Sequence, residues 1–185
     1  MDSSTLPFYS LAAITATATL ALAPFLITPM LPRHLFGALP YQHTPKRKLI
    51  KAFSMLRRHS SATTKKPSLP PKFVDLGSGA GEATILASRL GYKALGVEIN
   101  PTLLLISRFS SLLSRPTPPG SATFSSSNLM TLPYSEFDVL FMFGVKPLLQ
   151  QIEPKLKAEM APNSHLLLYR FTLPRSALDE FEIVE

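Results

Sequence analysis

Phe73-Val-Asp-Leu-Gly-Ser-Gly-Ala-Gly81 is the stretch on which the fold turns. Phe73–Leu76 reads as a short buried strand, and the glycines at 77, 79 and 81 break it into a turn. Glu82–Leu90 reads as a helix closed by Gly91, and Lys93–Val97 as a second strand ending at Glu98. Strand, glycine-rich turn, helix and second strand form a parallel βαβ unit, which predicts an α/β protein. Glycines carry no Cβ, so the backbone can turn tightly and approach a ligand closely. An acid at the tip of the second strand can accept hydrogen bonds from both hydroxyls of a ribose. The pattern points to a nucleoside cofactor; the competing reading is a structural turn beside an empty crevice.

Downstream, Asn100-Pro101 is an amide cap followed by a proline at the first helical position, and Leu104, Ile106, Phe109 and Leu113 give that helix apolar surface. Ser114–Ser121, rich in proline, reads as a loop, and Ala122–Phe124 as a weak third strand with Asn128 just beyond it. Phe137–Phe143 is an almost unbroken apolar run, as expected of a central parallel strand. Gly144 after it leaves room for a ligand. Pro147–Met160 reads as a helix that Pro154 interrupts or starts, and His165–Phe171 as a fifth strand.

Upstream the composition changes. Residues 1–72 hold ten Lys/Arg and one acid, whereas residues 73–185 hold nine Lys/Arg and eleven acids. The basic character therefore belongs to a leader and not to the core, which argues against a nucleic-acid-binding domain and for a membrane or an acidic partner. No charge occurs between Asp2 and Arg33, and Leu6–Ile27 is just long enough for a membrane-spanning helix. Arg33, Lys46, Arg47, Lys48 and Lys51 follow it, so charge bias keeps the C-terminal side in the compartment of origin. A cleaved signal peptide ending near Ala21-Leu22-Ala23 and a buried or disordered leader are the alternatives. Thr44-Pro45 predicts a helix start, with Leu49, Phe53 and Leu56 on one face and Lys46, Lys51 and Arg58 elsewhere. Those cations either form a solvated face or touch anionic lipid. Ser60–Pro71 reads as a linker. Three regions result: an apolar targeting or transmembrane segment over 1–38, a basic helix and linker over 39–71, and the core over 72–185.

The 185 residues include no cysteine, which excludes a disulfide framework, a zinc finger, an iron–sulfur thiolate site and a cysteine nucleophile. Four scattered histidines make no metal cluster. With single-residue spacing between its glycines and Asp75 ahead of them, D-x-G-x-G-x-G resembles the first motif of Rossmann-like S-adenosylmethionine-dependent methyltransferases. NAD is the other cofactor compatible with the βαβ unit, although its fingerprint is G-x-G-x-x-G. S-adenosylmethionine has no phosphate, and its ammonium suits an acid such as Asp75.

Further stretches narrow the resemblance. Val74-Asp-Leu-Gly-Ser-Gly79, Gly96-Val-Glu-Ile-Asn-Pro101, Ser107-Arg108, Phe143-Gly-Val145, Lys155-Leu-Lys-Ala-Glu159 and Tyr169-Arg-Phe-Thr-Leu-Pro174 occur in order. Together they resemble the small mitochondrial, membrane-anchored protein-lysine methyltransferases that modify the ATP synthase c-subunit or the adenine nucleotide translocase. The resemblance runs from about Leu39 to Pro174 and includes Pro40-Tyr41…Thr44-Pro45. It implies a seven-strand-type methyltransferase core lacking the last strands, because the chain ends soon after the fifth, preceded by an N-terminal apolar helix. It implies S-adenosylmethionine held by Asp75, Gly77, Ser78, Gly79, Gly81, Glu98, Ile99, Asn100 and Asn128. A substrate pocket would involve Tyr41, Thr44, Phe143 and Gly144, with no side chain standing out as a general base and no metal. The implied partners are a membrane and a lysine-bearing membrane protein, with no nucleic acid, and a monomer acting at the mitochondrial inner membrane on the matrix side; a plastid is the alternative in a photosynthetic source. The family has Asp-Gly-Arg where this chain has Ala80-Gly81-Glu82, an acid is common where Asn128 stands, and Pro147 falls one position later than the family's proline. A membrane-associated lipid or quinone methyltransferase and a non-catalytic scaffold of the same fold remain the competing functions.

Overall fold

The computed structural model describes residues 44–60, 70–114, 116 and 118–173. The expected membrane segment Leu6–Ile27, Tyr41 and most of the linker lie outside the described residues. In chain order the elements are α1 (Lys46–Ser60), β1 (Lys72–Leu76), α2 (Glu82–Arg89), β2 (Lys93–Val97), α3 (Pro101–Leu113), β3 (Ser121–Ser125), β4 (Val139–Phe143), α4 (Lys146–Glu159) and β5 (His165–Tyr169). Two short 3-10 turns, Leu129–Thr131 and Tyr134–Glu136, precede β4. The strands form one parallel sheet in the order β3-β2-β1-β4-β5. The chain thus runs outward from β1 in one direction and returns to the other side of it, which puts a topological switch point between β1 and β4.

Each inner strand is apolar on both faces because helices cover both. On one face Phe73, Ala94, Val139 and Phe141 meet Leu49, Phe53 and Leu56 of α1 and Ala83 and Ala87 of α2. On the other, Val74, Leu76, Val97, Leu140 and Met142 meet Tyr134, Phe137 and the α4 stripe Leu149, Ile152 and Leu156. That stripe explains why Pro154 neither starts nor interrupts α4: the helix continues through it from Lys146 to Glu159. Proline removes one intrahelical bond, and burial of three large side chains on the same face offsets the loss.

Other element ends differ from expectation for local reasons. The first helical carbonyl of α1 belongs to Pro45, which accepts from the amides of Lys48 and Leu49, so Pro45 and not Thr44 takes the cap position. The Phe137 amide is spent on the Tyr134 carbonyl, and β4 begins two residues later than the apolar run. Arg170 adopts φ of 80°, which ends β5 at Tyr169.

Candidate cofactor and active site

Three alternating glycines are needed because the turn after β1 visits the left-handed region at every second residue: φ is 85° at Gly77, 53° at Gly79 and 86° at Gly81. Side chains other than glycine's resist that region. The turn is tied to the neighbouring strand by the Gly77 and Ser78 amides, each donating to the Val97 carbonyl at 2.9 Å.

Glu98 joins the two turns that border the crevice. Its Oε2 accepts from the Gly79 amide and its Oε1 from the Asn100 amide, both at 2.8 Å, and the group is buried. Each carboxylate oxygen retains acceptor capacity for a second donor, so the side chain can hold the turn and take ribose hydroxyls as well. Asp75, at the end of β1, lies beneath the turn and accepts from Thr84 Oγ1 at 3.1 Å. Burial, and to a lesser degree the charge of Glu98, push its carboxyl up to about 7 against the pull of the Thr84 hydroxyl. Thr84, in the first turn of α2, is a site residue that the motif alone does not mark.

The remaining expected residues divide into those facing open space and those used for packing. A Cβ at Gly77 would meet no atom within 4 Å, and Ile99 is 72% exposed beside Glu98. Ser78 Oγ is buried without a hydrogen-bond partner. By contrast, a Cβ at Gly81 would fall 2.7 Å from the Phe124 ring, and one at Gly96 2.5 Å from it. Phe124 of β3, paired with Gly96, therefore fills the space that both glycines vacate. Gly144 likewise makes room for Leu149, whose Cδ1 would lie 2.8 Å from a Cβ there.

Asn100 Oδ1 caps α3 by accepting from the Thr102 and Leu103 amides, and Asn128 Oδ1 caps the next turn by accepting from Met130. Asn100 Oδ1 has therefore filled both lone pairs, whereas Asn128 Oδ1 keeps one for a second donor, and each side chain keeps its NH2 as a donor. Phe143 stands at the carboxyl end of β4 in an edge-on contact with Tyr169 of β5, ring centroids 5.4 Å apart. Tyr169 was not expected in the site, because strand register alone brings it beside Phe143. Thr44 is buried ahead of α1.

An unpartnered buried hydroxyl, an open backbone at Gly77, an acid pair and an exposed apolar side chain at one crevice suit an adenosyl cofactor that lacks phosphate. The sequence matches the ANTKMT methyltransferase domain over residues 75–180. The chain belongs to that methyltransferase family. An ATP synthase c-subunit lysine N-methyltransferase of Caenorhabditis elegans is 30% identical over 89% of this chain and 82% of its own length. The human protein of that name is 31% identical over 86% of this chain. The chain spans 62% of the human relative's length. Among solved structures, an RNA methyltransferase from Salinibacter ruber in complex with S-adenosyl-L-homocysteine superposes with a TM-score of 0.60, at 22% identity, over 72% of this chain and 81% of that one. The fold is the Rossmann-like methyltransferase fold with five parallel strands among the described residues, and S-adenosylmethionine is the cofactor its crevice fits.

Proposed function

We propose that this protein is a protein-lysine N-methyltransferase acting on a mitochondrial inner-membrane protein of the ATP synthase c-subunit or adenine nucleotide translocase type. The observation that carries the reading is the crevice built on Glu98 and the glycine turn, in a chain of a methyltransferase family whose relatives are named for lysine methylation. Asp75, Gly77, Ser78, Gly79, Glu98, Ile99, Asn100 and Asn128 hold the cofactor; Gly81 acts through Phe124.

When bound, S-adenosylmethionine supplies an electrophilic methyl group. Glu98 would accept from the ribose, and the Ser78 hydroxyl, buried in the turn without a partner, would be offered to the cofactor. Asp75 faces the cationic end, directly or through water, and loses its proton as that charge arrives. Asn128, whose Oδ1 keeps one lone pair besides the cap, would accept from the adenine amino group. Phe143 and Tyr169 line the adjoining strand ends and exclude water from the incoming amine. A free lysine has a pKa near ~10.4, so desolvation there favours its neutral, nucleophilic form. Residues that hold such an amine beside the bound cofactor would lower the barrier by proximity. Residues 1–38 anchor the enzyme, with the catalytic domain on the matrix side.

The test is incubation of the full chain with methyl-labelled S-adenosylmethionine and mitochondrial membranes. Label in a small membrane protein, absent with E98A, supports the reading. Label in extracted lipid would assign a small-molecule methyltransferase, and no label at all a scaffold.

A further inference from the structure

Helix α3 is apolar on the side it should show to water. Leu104 and Ser107 face the core, yet Leu105, Phe109, Leu112 and Leu113 are 58%, 63%, 81% and 73% exposed. Their spacing of four, three and one places them on one stripe of the helix. Arg108 is the one charged residue of α3. A contiguous exposed patch of large apolar side chains marks an interaction surface.

The same layer carries a second unusual surface. Helix α1 buries Leu49, Phe53 and Leu56 and exposes Lys46, Arg47, Lys48, Lys51 and Arg58, with no acid anywhere in the helix. None of these five cations pairs with a carboxylate among the described residues. Ile50 stands half exposed among them. Both helices lie on one face of the sheet. α1 packs on Phe73, Val139 and Phe141 together with α2, and Ser107 of α3 approaches Gly81 at the start of α2. One layer thus presents uncompensated cations and a stripe of leucine and phenylalanine.

That combination selects the occupant. An apolar protein groove would cover the α3 stripe and leave the α1 cations without a role. A second copy placed symmetrically would bring like charges together. A bilayer surface bearing anionic lipid takes both, phosphates at the lysines and acyl chains at the apolar stripe. We propose that the α1–α3 layer docks the folded domain on an anionic membrane surface. Docking by the domain itself goes beyond the anchoring assigned to residues 1–38. It also orients the enzyme, because the carboxyl edge of the sheet, which holds the crevice, then opens along the membrane plane.

The absence of cysteine makes the test direct. Full-length L112C carries an environment-sensitive fluorophore on the stripe, and full-length Q150C carries it on exposed α4, which covers the opposite face of the sheet. Each is added to vesicles of phosphatidylcholine mixed with phosphatidylglycerol, or of phosphatidylcholine alone. On the anionic vesicles the L112C label should brighten several-fold, shift to the blue and be quenched by spin-labelled lipid, while Q150C stays unchanged. K46Q/K48Q/K51Q should weaken the L112C response by about fivefold per lysine, on the order of a hundredfold together. Equal responses of the two labels, an unchanged L112C signal, or an equal signal on neutral vesicles would overturn the proposal. So would shielding of L112C without vesicles as protein concentration rises, which would assign the stripe to a second copy. Cofactor binding by both labelled proteins, read by calorimetry, keeps the methyltransferase reading separate from this outcome.

Discussion

A single carboxylate, Glu98, ties the β1 turn to the β2 turn, and in the proposed function the same oxygens accept from a ribose. E98A should therefore lower cofactor affinity through both roles. Hydrogen bonds to charged groups contribute about 1.5–3 kcal/mol, so calorimetry should show a tenfold to hundredfold loss. E98Q should be nearly as harmful, since its NH2 would face a backbone amide that needs an acceptor; wild-type affinity in E98Q would remove the clamp from the account. Asp75 makes a different prediction. Its folded pKa is raised to about 7 from an unfolded value near ~3.9. The native state therefore binds the extra proton more tightly, so its contribution to stability is greatest below about pH 4 and is lost as pH rises towards 7. Thermal unfolding of D75N should lack this part of the pH dependence. Cofactor binding near pH 7 should release a proton from wild type and not from D75N, seen as buffer-dependent enthalpy. Identical buffer dependence in the two proteins would show that Asp75 does not respond to the cofactor.

At the scale of elements, α1 is part of the core and not an ornament on it. Phe53 is buried, with its ring 5.5 Å from Phe73 and 5.6 Å from Tyr92. F53A should cost about 3–5 kcal/mol, read as a lower denaturation midpoint, with cofactor affinity of the folded fraction little changed. G96A forces a methyl group against Phe124 and should cost about 1–3 kcal/mol. F124A should recover part of that loss in a double-mutant cycle, and strictly additive effects would refute the packing. Contacts of this kind are not written in the local sequence. β1, β2, the α3 cap at Asn100-Pro101 and the Glu98 acid were legible because each depends on neighbours in the chain. The tasks of Gly81, Gly96 and Gly144 were not, because they depend on Phe124 and Leu149, which only strand register and helix packing bring close. Pro154 was misleading for the same reason: the buried face that tolerates it is supplied by the other side of the sheet. Thr84 carried a weak signal, a hydroxyl one helical turn beyond the glycines.

For the whole molecule, the uneven charge along the chain separates location from chemistry. No helix among the described residues is long and apolar enough to cross a membrane, so the proposed anchor rests on residues 1–38. A chain beginning at Leu39 should bind S-adenosylmethionine as the full chain does and be released by alkaline carbonate, which strips surface-docked proteins. Retention of that shorter chain in the carbonate pellet would show that the front segment is not what holds the enzyme in the membrane. The proposed lysine methylation of an inner-membrane protein is read by mass spectrometry. The c-subunit and the translocase are isolated from cells lacking this protein and from the same cells given back wild type or E98A. A lysine of one of them should be unmethylated without the protein, methylated with wild type and unmethylated with E98A. Full methylation of both targets in cells that lack the protein would contradict it.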